Sequence, residues 1–574
     1  MDAPDRCGII LRPYSKEAAH TITPGRRPSP PSGFHRDDGM MPPITVQGAC
    51  VFDLILAGGT VVDGTGRDGF RADVGIRGER IGAIGDLSGA AAGRVIDATG
   101  LTVAPGFIDT HTHAEGALLV DPQHANALRQ GITTVFLGID GMSYAPLSRE
   151  NYLLYRQWLS GLLGDPPEEL DMHSVEAFRS HYHRKVAVNT AYLVPHATVR
   201  LEVLGFRDLP LVGDALAKAK RLVREGLEQG AVGFTTGSKY YPGPWADTQE
   251  LVELCTVVRE EGKVYMSEPR VTERAFGGGG AVEAMEIVRQ SGVKLHFAHY
   301  RTGADSAGRI ETIMAPVDAG RHADADVTFD IYPYPSGSSI PVSFLPGQVQ
   351  EGGPAAILRR LADRALRQQV GAWLDLHQSA YLRPMTFSYV PDRPELEGMR
   401  LVDLADERGR SPGEALCELL LEQRLRIGHV TAPPESEAVQ DQIASDCMAL
   451  LARSDYMVCS DITPAGGCTH PRCYGAFPRL IGRYRRKFRT MRLEAMVHRM
   501  TDRPAQRFGL ARRGRIEIGY FADIAVFDEA RVNDTATYAD PRRFPVGIPY
   551  VLVNGQVAVD NERCTGVYAG QAVP

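Results

Sequence analysis

The sequence lacks three things whose absence narrows what the chain can do. It has no Cys-x-x-Cys pair, and its nine cysteines are odd in number and scattered. Neither a disulfide framework nor a cysteine-rich zinc site is encoded, and a reducing, cytoplasmic compartment is expected. No stretch approaches the ~20 apolar residues of a membrane span, and the N-terminus has no apolar signal-peptide core, so neither anchoring nor export is expected. A basic excess is also missing: 63 Lys plus Arg stand against 70 Asp plus Glu, a net charge of −7 that offers no footprint for nucleic acid.

What is present is an ordinary globular composition, 43% hydrophobic and 23% charged over 574 residues. That length accommodates one α/β barrel of roughly 250 residues or more together with one or two further units. Residues 1–48 mix Arg, Pro, Ser and Gly without apolar periodicity, as in Pro24-Gly-Arg-Arg-Pro-Ser-Pro-Pro-Ser-Gly33. They read as a disordered extension or, given the adjacent Met40 and Met41, as a segment ahead of the true translation start.

From residue 49 to 103 the pattern changes to short apolar strands broken by glycine: Phe52 to Ala57, Thr60 to Val62, Asp73 to Arg77 and Arg80 to Ile84. Residues 506–574 answer with Arg515 to Ile518, Ala522 to Phe527 and Tyr550 to Gly555, so the two chain ends are expected to form one small β-sandwich. Between them, in 104–505, eight strand-like runs alternate with helical patterns: Val103 to Ile108, Thr133 to Leu137, Val186 to Leu193, Ala231 to Thr236, Val264 to Met266, Lys294 to Ala298, Val327 to Ile331 and Tyr456 to Cys459. The expected fold class is α/β, a (β/α)8 TIM-like barrel whose functional residues follow the C-terminal ends of its strands. Residues 345–450 are too long for one crossover and contain helical stretches, which suggests a helical insertion able to act as a lid.

The chemistry concentrates in Pro105-Gly-Phe-Ile-Asp-Thr-His111-Thr-His113, where an apolar strand ends in two histidines one residue apart. Residues i and i+2 of a strand share a face, so both imidazoles can reach one ion. The sequence from about Val51 onward resembles the amidohydrolase superfamily and, within it, the N-acyl-D-amino-acid deacylases. The resemblance rests on Leu54 to Gly66, Ala104 to His113, Gly131 to Val135, Asp330-Ile-Tyr-Pro-Tyr334, Ser460-Asp461, His470-Pro-Arg472 and Gly519 to Asp528. It implies a β-sandwich plus (β/α)8 barrel, a metal-dependent hydrolase of the metal-activated-water type, and a linear acyl amide on a D-amino acid as substrate. It also implies His111, His113 and His299 as metal ligands and Asp461 as the catalytic acid/base.

Two positions depart from the family pattern. Gly138-Ile-Asp140-Gly141 stands where a cysteine ligand is usual, and Ser267-Glu268-Pro269-Arg270 where a histidine is usual. Both put a carboxylate in place of a softer ligand, which keeps zinc as the first expectation and opens the site to manganese or magnesium. Asp140 and Glu268 are read as ligands, with pairing of Glu268 to Arg270 as the alternative. Lys239, after the fourth strand, is read first as an exposed loop lysine; the further possibility is a metal-bridging role, because some relatives bridge two metals with a carboxylated lysine at that strand. An N-acyl amino acid carries a free carboxylate, which a bidentate Arg suits. Arg200, Arg301, Arg472 and, less favourably, Arg270 are candidates, with Tyr332, Tyr334 and Ser339 as hydrogen-bond donors and His196 as a pocket-lining residue. Two competing functions remain: a hydantoinase-like cyclic amide hydrolase, and a scaffold that kept the fold after losing its metal. The expected partner is a small-molecule substrate, and a homo-oligomer is the family habit.

Overall fold

Eight short strands in which nearly every side chain is buried form the centre of the molecule, as expected for parallel strands covered on both faces. In the computed structural model, which describes residues 51–237, 239–270, 279–321 and 325–574, they run β1 (Phe107–Asp109), β2 (Ile132–Leu137), β3 (Asn189–Pro195), β4 (Gly233–Thr236), β5 (Val264–Ser267), β6 (Lys294–Phe297), β7 (Val327–Ile331) and β8 (Tyr456–Val458). All seven neighbouring pairs are parallel and in chain order. Backbone bonds from Asp461 to His111 and from His113 to Ile462 bring β8 round to β1, so the barrel is nearly closed. The reading of residues 1–48 lies outside the described residues.

The crossover helices follow from local sequence. Thr248–Glu260 starts at Asp247, whose carboxylate accepts the Glu250 N–H at 2.8 Å, and it buries Leu251, Leu254, Cys255 and Val258 against the barrel. Glu437–Leu451 is capped in the same way by Ser436.

The chain ends meet in one hydrogen-bonded sheet. Ile524–Phe527 pairs antiparallel with Thr102–Pro105, which in turn runs parallel to Phe52–Val61. Alternate residues Leu54 and Leu56, Val74 and Ile76, and Ile524 and Val526 form its apolar cluster. The expected strand at Arg515 to Ile518 is instead a turn.

A second difference matters more. The run Val103 to Ile108, expected as a single barrel strand, is split: Thr102–Pro105 belongs to the terminal sheet and only Phe107–Asp109 to the barrel. Pro105 cannot donate to a ladder. At Gly106 a Cβ would lie 2.2 Å from Thr133 Oγ1, so the chain crosses from one sheet to the other where only glycine fits.

The segment between β7 and β8 is helical over much of its length but also contains a three-stranded sheet, Ser338–Ser339, Gly428–Thr431 and Met385–Tyr389, which the sequence pattern did not announce. This sheet stands beside the C-terminal end of the barrel and lends it part of the site's wall. Among the described residues no helix is long and apolar enough to cross a membrane.

Candidate active site

His111 and His113 leave β1 on one face, and their Nε2 atoms stand 3.3 Å apart. Asp140, in the turn after β2, places Oδ2 3.3 Å from His111 Nε2 and 3.4 Å from His113 Nε2. Asp461, after β8, places Oδ1 3.7 Å and 3.3 Å from the same two atoms. His299 Nε2 follows β6, 4.0 Å from Asp140 Oδ2 and 3.9 Å from Glu268 Oε1. Three overlapping triplets, His111/His113/Asp140, His111/His299/Asp461 and Asp140/Glu268/His299, each hold their donor atoms within 4.8 Å of one another. The sequence-predicted ligands are thus brought together.

The backbone is bent to do this. Asp140, His299 and Asp461 all have left-handed φ, at 54°, 35° and 56°. Asp and His tolerate that region better than most residues, and such strain persists only where the surroundings impose it. Buried carboxylates impose it here. Asp330 accepts the His299 backbone N–H at 2.6 Å, Thr110 Oγ1 at 2.6 Å and His296 Nε2 at 3.0 Å. Asp109 accepts the Ser460 and His111 backbone N–H groups and the Ser460 hydroxyl. Glu115 accepts the Gly138 N–H at 2.8 Å and so anchors the Asp140 turn. Sequence reasoning assigned no role to these three acids; their only signal was an acidic residue within or beside an apolar strand.

Burial acts to raise the Asp461 carboxyl, but Arg472, His111 and His113 override it and hold the group below the usual carboxylate range. Burial lowers His113, and its hydrogen bonds to the Asp140 and Asp461 carboxylates more than reverse that, to about 10. Burial pushes Asp109 up to about 7 against the hydrogen bonds it accepts from Ser460 and His111.

The cluster opens into a cavity of about 240 Å³. Arg301, Tyr332, Ser339 and Arg472 line it as expected. Arg472 is fully buried, and its Nη1 lies 2.6 Å from Asp461 Oδ2. The contact is too bent for a hydrogen bond, so Nε, Nη1 and Nη2 have no acceptor among the described residues. Arg301 Nη2 donates to Tyr332 Oη at 2.8 Å, and both guanidinium carbons lie over the Tyr332 ring, at 4.5 Å and 4.9 Å. Ser339 Oγ is bonded to Tyr240 Oη at 3.0 Å.

Other expectations are corrected. Arg200 lies on the helix His196–Leu204, which turns it away from the cavity into a buried ion pair with Glu250. His196 shares that carboxylate at 2.8 Å and likewise does not line the cavity. Tyr334 donates to the Pro471 carbonyl at 3.3 Å under Arg479 and is a packing residue. Arg270 forks onto Glu283, not Glu268. Lys239 is no exposed loop lysine: it lines the cavity with Nζ over the rings of Phe344 and Tyr381, at 4.9 Å and 5.2 Å. Burial pulls its pKa down, while Glu268 and Asp140 push it up. Phe344, Tyr381, His429 and Thr431 all come from the segment between β7 and β8 and could not be assigned to the site from sequence.

Comparison with known proteins places this geometry. The amidohydrolase family model matches residues 94–198 and 418–559. A D-aminoacylase of Alcaligenes xylosoxydans xylosoxydans is 34% identical over 91% of this chain and 97% of its own length. An N-acyl-D-glutamate deacylase of the same organism is also 34% identical, over 88% and 93%. The crystal structure of an N-acyl-D-glutamate deacylase from Bordetella bronchiseptica, complexed with zinc and a phosphonate mimic of the tetrahedral intermediate, superposes with a TM-score of 0.75 at 30% identity, over 91% of this chain and 99% of that one. A dihydropyrimidinase from Brevibacillus agri, at 16% identity and a TM-score of 0.52, shares the fold alone. With the barrel, the donor cluster and near-full-length likeness in agreement, the chain belongs to the amidohydrolase superfamily, in its N-acyl-D-amino-acid deacylase (D-aminoacylase) family.

Proposed function

We propose that this protein is a metal-dependent hydrolase of the amide bond of N-acyl-D-amino acids, acting on small-molecule substrates in the cytoplasm. The observation that carries the reading is the pair Asp461 and Arg472. It joins a cluster of imidazole and carboxylate donors to a buried guanidinium within one cavity, so that a water-activating end and a carboxylate-binding end are a single side-chain contact apart.

The donor set fits a divalent cation. Three imidazoles and three carboxylates converge, and the buried Asp140 Oδ1 has no hydrogen-bond partner among the described residues. His111, His113, Asp140, Glu268 and His299 would hold the metal, with zinc the first choice and manganese or magnesium suited to the added carboxylates. When bound, such an ion supplies Lewis acidity and makes water nucleophilic near neutral pH.

The remaining work falls to the chain's own side chains. Asp461, kept ionised by Arg472 and the histidines, is placed to accept the proton of the attacking water and return it to the departing nitrogen, which leaves only when protonated. Arg472 and Arg301, braced on Tyr332, offer a fork to the substrate carboxylate. Ser339 and Tyr332 add hydroxyl groups along the same wall. The D preference is taken from the relatives.

The test is elemental analysis of the purified protein, paired with hydrolysis of N-acetyl-D- and N-acetyl-L-amino acids after adding zinc, manganese or magnesium. Retained metal and D-selective turnover support the reading. A protein that retains no metal and turns over no amide with any of the three ions would sink it.

A further inference from the structure

Among the described residues lining the cavity, three side chains are basic: Lys239, Arg301 and Arg472. The deacylase reading employs two of them. Both arginines stack on Tyr332, and a single α-carboxylate is satisfied by that wall.

Lys239 is held elsewhere. Its ammonium lies over the rings of Phe344 and Tyr381 and makes no hydrogen bond or ion pair with any described residue. A ring pair of this kind fixes a cation through its face while leaving the N–H donors free for an oxygen acceptor. Nor does it stand in for a ligand: no contact within ion-pair distance joins Nζ to Glu268 or Asp140, and both of its aromatic supports come from the segment between β7 and β8, not from the donor cluster. His429, beside Phe344 at 5.4 Å between ring centroids, is kept neutral by burial and by Lys239 itself, so it adds no competing charge. An ammonium packed on two rings, with no hydrogen-bond or ion-pair partner among the described residues, has its N–H donors free to take an acceptor from a ligand in the cavity.

We propose that Lys239, in its Phe344/Tyr381 cradle, binds a second carboxylate on the substrate, so that the enzyme selects dicarboxylic N-acyl-D-amino acids over neutral ones. This rests on the deacylase reading of the same cavity and names its substrate class. Sequence likeness does not decide the point, since identity is 34% both to a D-aminoacylase and to an N-acyl-D-glutamate deacylase. The second carboxylate can sit on the amino-acid side chain or on the acyl group, and the chemistry Lys239 recognises is the same for both.

The experiment compares kcat/KM within two matched pairs, N-acetyl-D-glutamate against N-acetyl-D-glutamine and N-succinyl-D-alanine against N-acetyl-D-alanine, for the wild type, Lys239→Met and Lys239→Arg. The wild type is expected to favour the charged member of one pair by about 10- to 100-fold, the worth of a charge-assisted hydrogen bond, and that pair identifies which carboxylate is bound. Lys239→Met should collapse the ratio towards one, and Lys239→Arg should restore part of it. A wild-type ratio within twofold in both pairs overturns the inference, as does a Lys239→Met variant that lowers both members equally or loses metal by elemental analysis.

Calorimetric titration keeps the question decidable if no amide is turned over, using D-glutamate against D-glutamine and succinate against acetate. A Lys239-dependent preference for the dicarboxylate without turnover retains this site and removes the deacylase reading. No preference removes the site.

Discussion

Arg472 Nη1 lies 2.6 Å from Asp461 Oδ2, and both side chains are buried. Asp461 has its other oxygen 3.3 Å from His113, so one carboxylate spans the donor cluster and the guanidinium. This gives the two residues separable kinetic signatures.

Asp461→Asn keeps the shape and the left-handed backbone, which Asn tolerates, but cannot accept a proton. We expect kcat to fall by about 10²- to 10⁴-fold, the usual range for a lost acid/base group. Arg472→Lys keeps a positive charge beside Asp461 and loses the fork. Its effect should fall mainly on KM, by about 10-fold or more, with kcat better preserved. Steady-state kinetics on both variants check the division, and identical effects on kcat and KM would count against it.

Gly337 borders the cavity where a Cβ would lie 3.2 Å from Tyr332 Oη and 3.4 Å from Arg472 Nη1. Gly337→Ala should therefore crowd the carboxylate wall without touching the donor cluster. The expected result is a KM raised up to about tenfold with metal content and fold retained, since sub-ångström misplacement of positioning groups is felt in binding and orientation. An unchanged KM would mean the substrate carboxylate lies elsewhere.

Asp140, Glu268 and Asp461 bring three carboxylates into one buried cluster whose balance requires cations. Dialysis against a chelator should abolish turnover and lower the melting temperature, and readdition of zinc, manganese or magnesium should restore both. A ligand present at 1,000 times its dissociation constant stabilises by about 4 kcal/mol, so scanning fluorimetry across a metal titration ranks the three ions. No thermal response to any of them would argue against a metal site.

His124 is buried, and burial lowers its pKa to about 4. In the unfolded chain it titrates near 6.5, so below that value the unfolded state binds the extra proton. Its contribution is fully present above pH 6.5 and is lost as the pH falls towards 4. At pH 5 the loss is on the order of 2 kcal/mol relative to pH 7.5. His124 has φ 43°, which suits Asn. Urea unfolding at the two pH values should show a smaller difference for His124→Asn than for the wild type.

Much of this architecture was legible in the sequence because its physics is local. Eight buried parallel strands read as eight apolar runs whatever their neighbours. The His111-Thr-His113 spacing places two imidazoles on one strand face by the period of two alone. Asp140 and Glu268 were visible as carboxylates at positions where relatives carry cysteine and histidine, and the fold brings them to the cluster.

What escaped is what no local pattern encodes. Val103 to Ile108 is one continuous run in sequence, and only the approach of Thr133 to Gly106 divides it between two sheets. By residue type Arg200 and Arg472 were alike as carboxylate binders, and Tyr334 was a candidate hydrogen-bond donor. Packing against Glu250 withdrew Arg200, the Pro471 carbonyl and Arg479 took Tyr334, and only Arg472 came to rest on Asp461 at the cavity.

Composition and spacing by themselves determined the eight barrel strands and the shared face of His111 and His113, because burial and side-chain period act over a few residues, whereas the other donors were implied by the family resemblance. The tertiary structure alone decided which arginines line the cavity and that Lys239 faces it over Phe344 and Tyr381. The Lys239 placement depends on side chains more than about 100 positions apart in the chain, whose meeting is set by how the segment between β7 and β8 packs beside the barrel, and the arginines are sorted by contacts that no local period encodes.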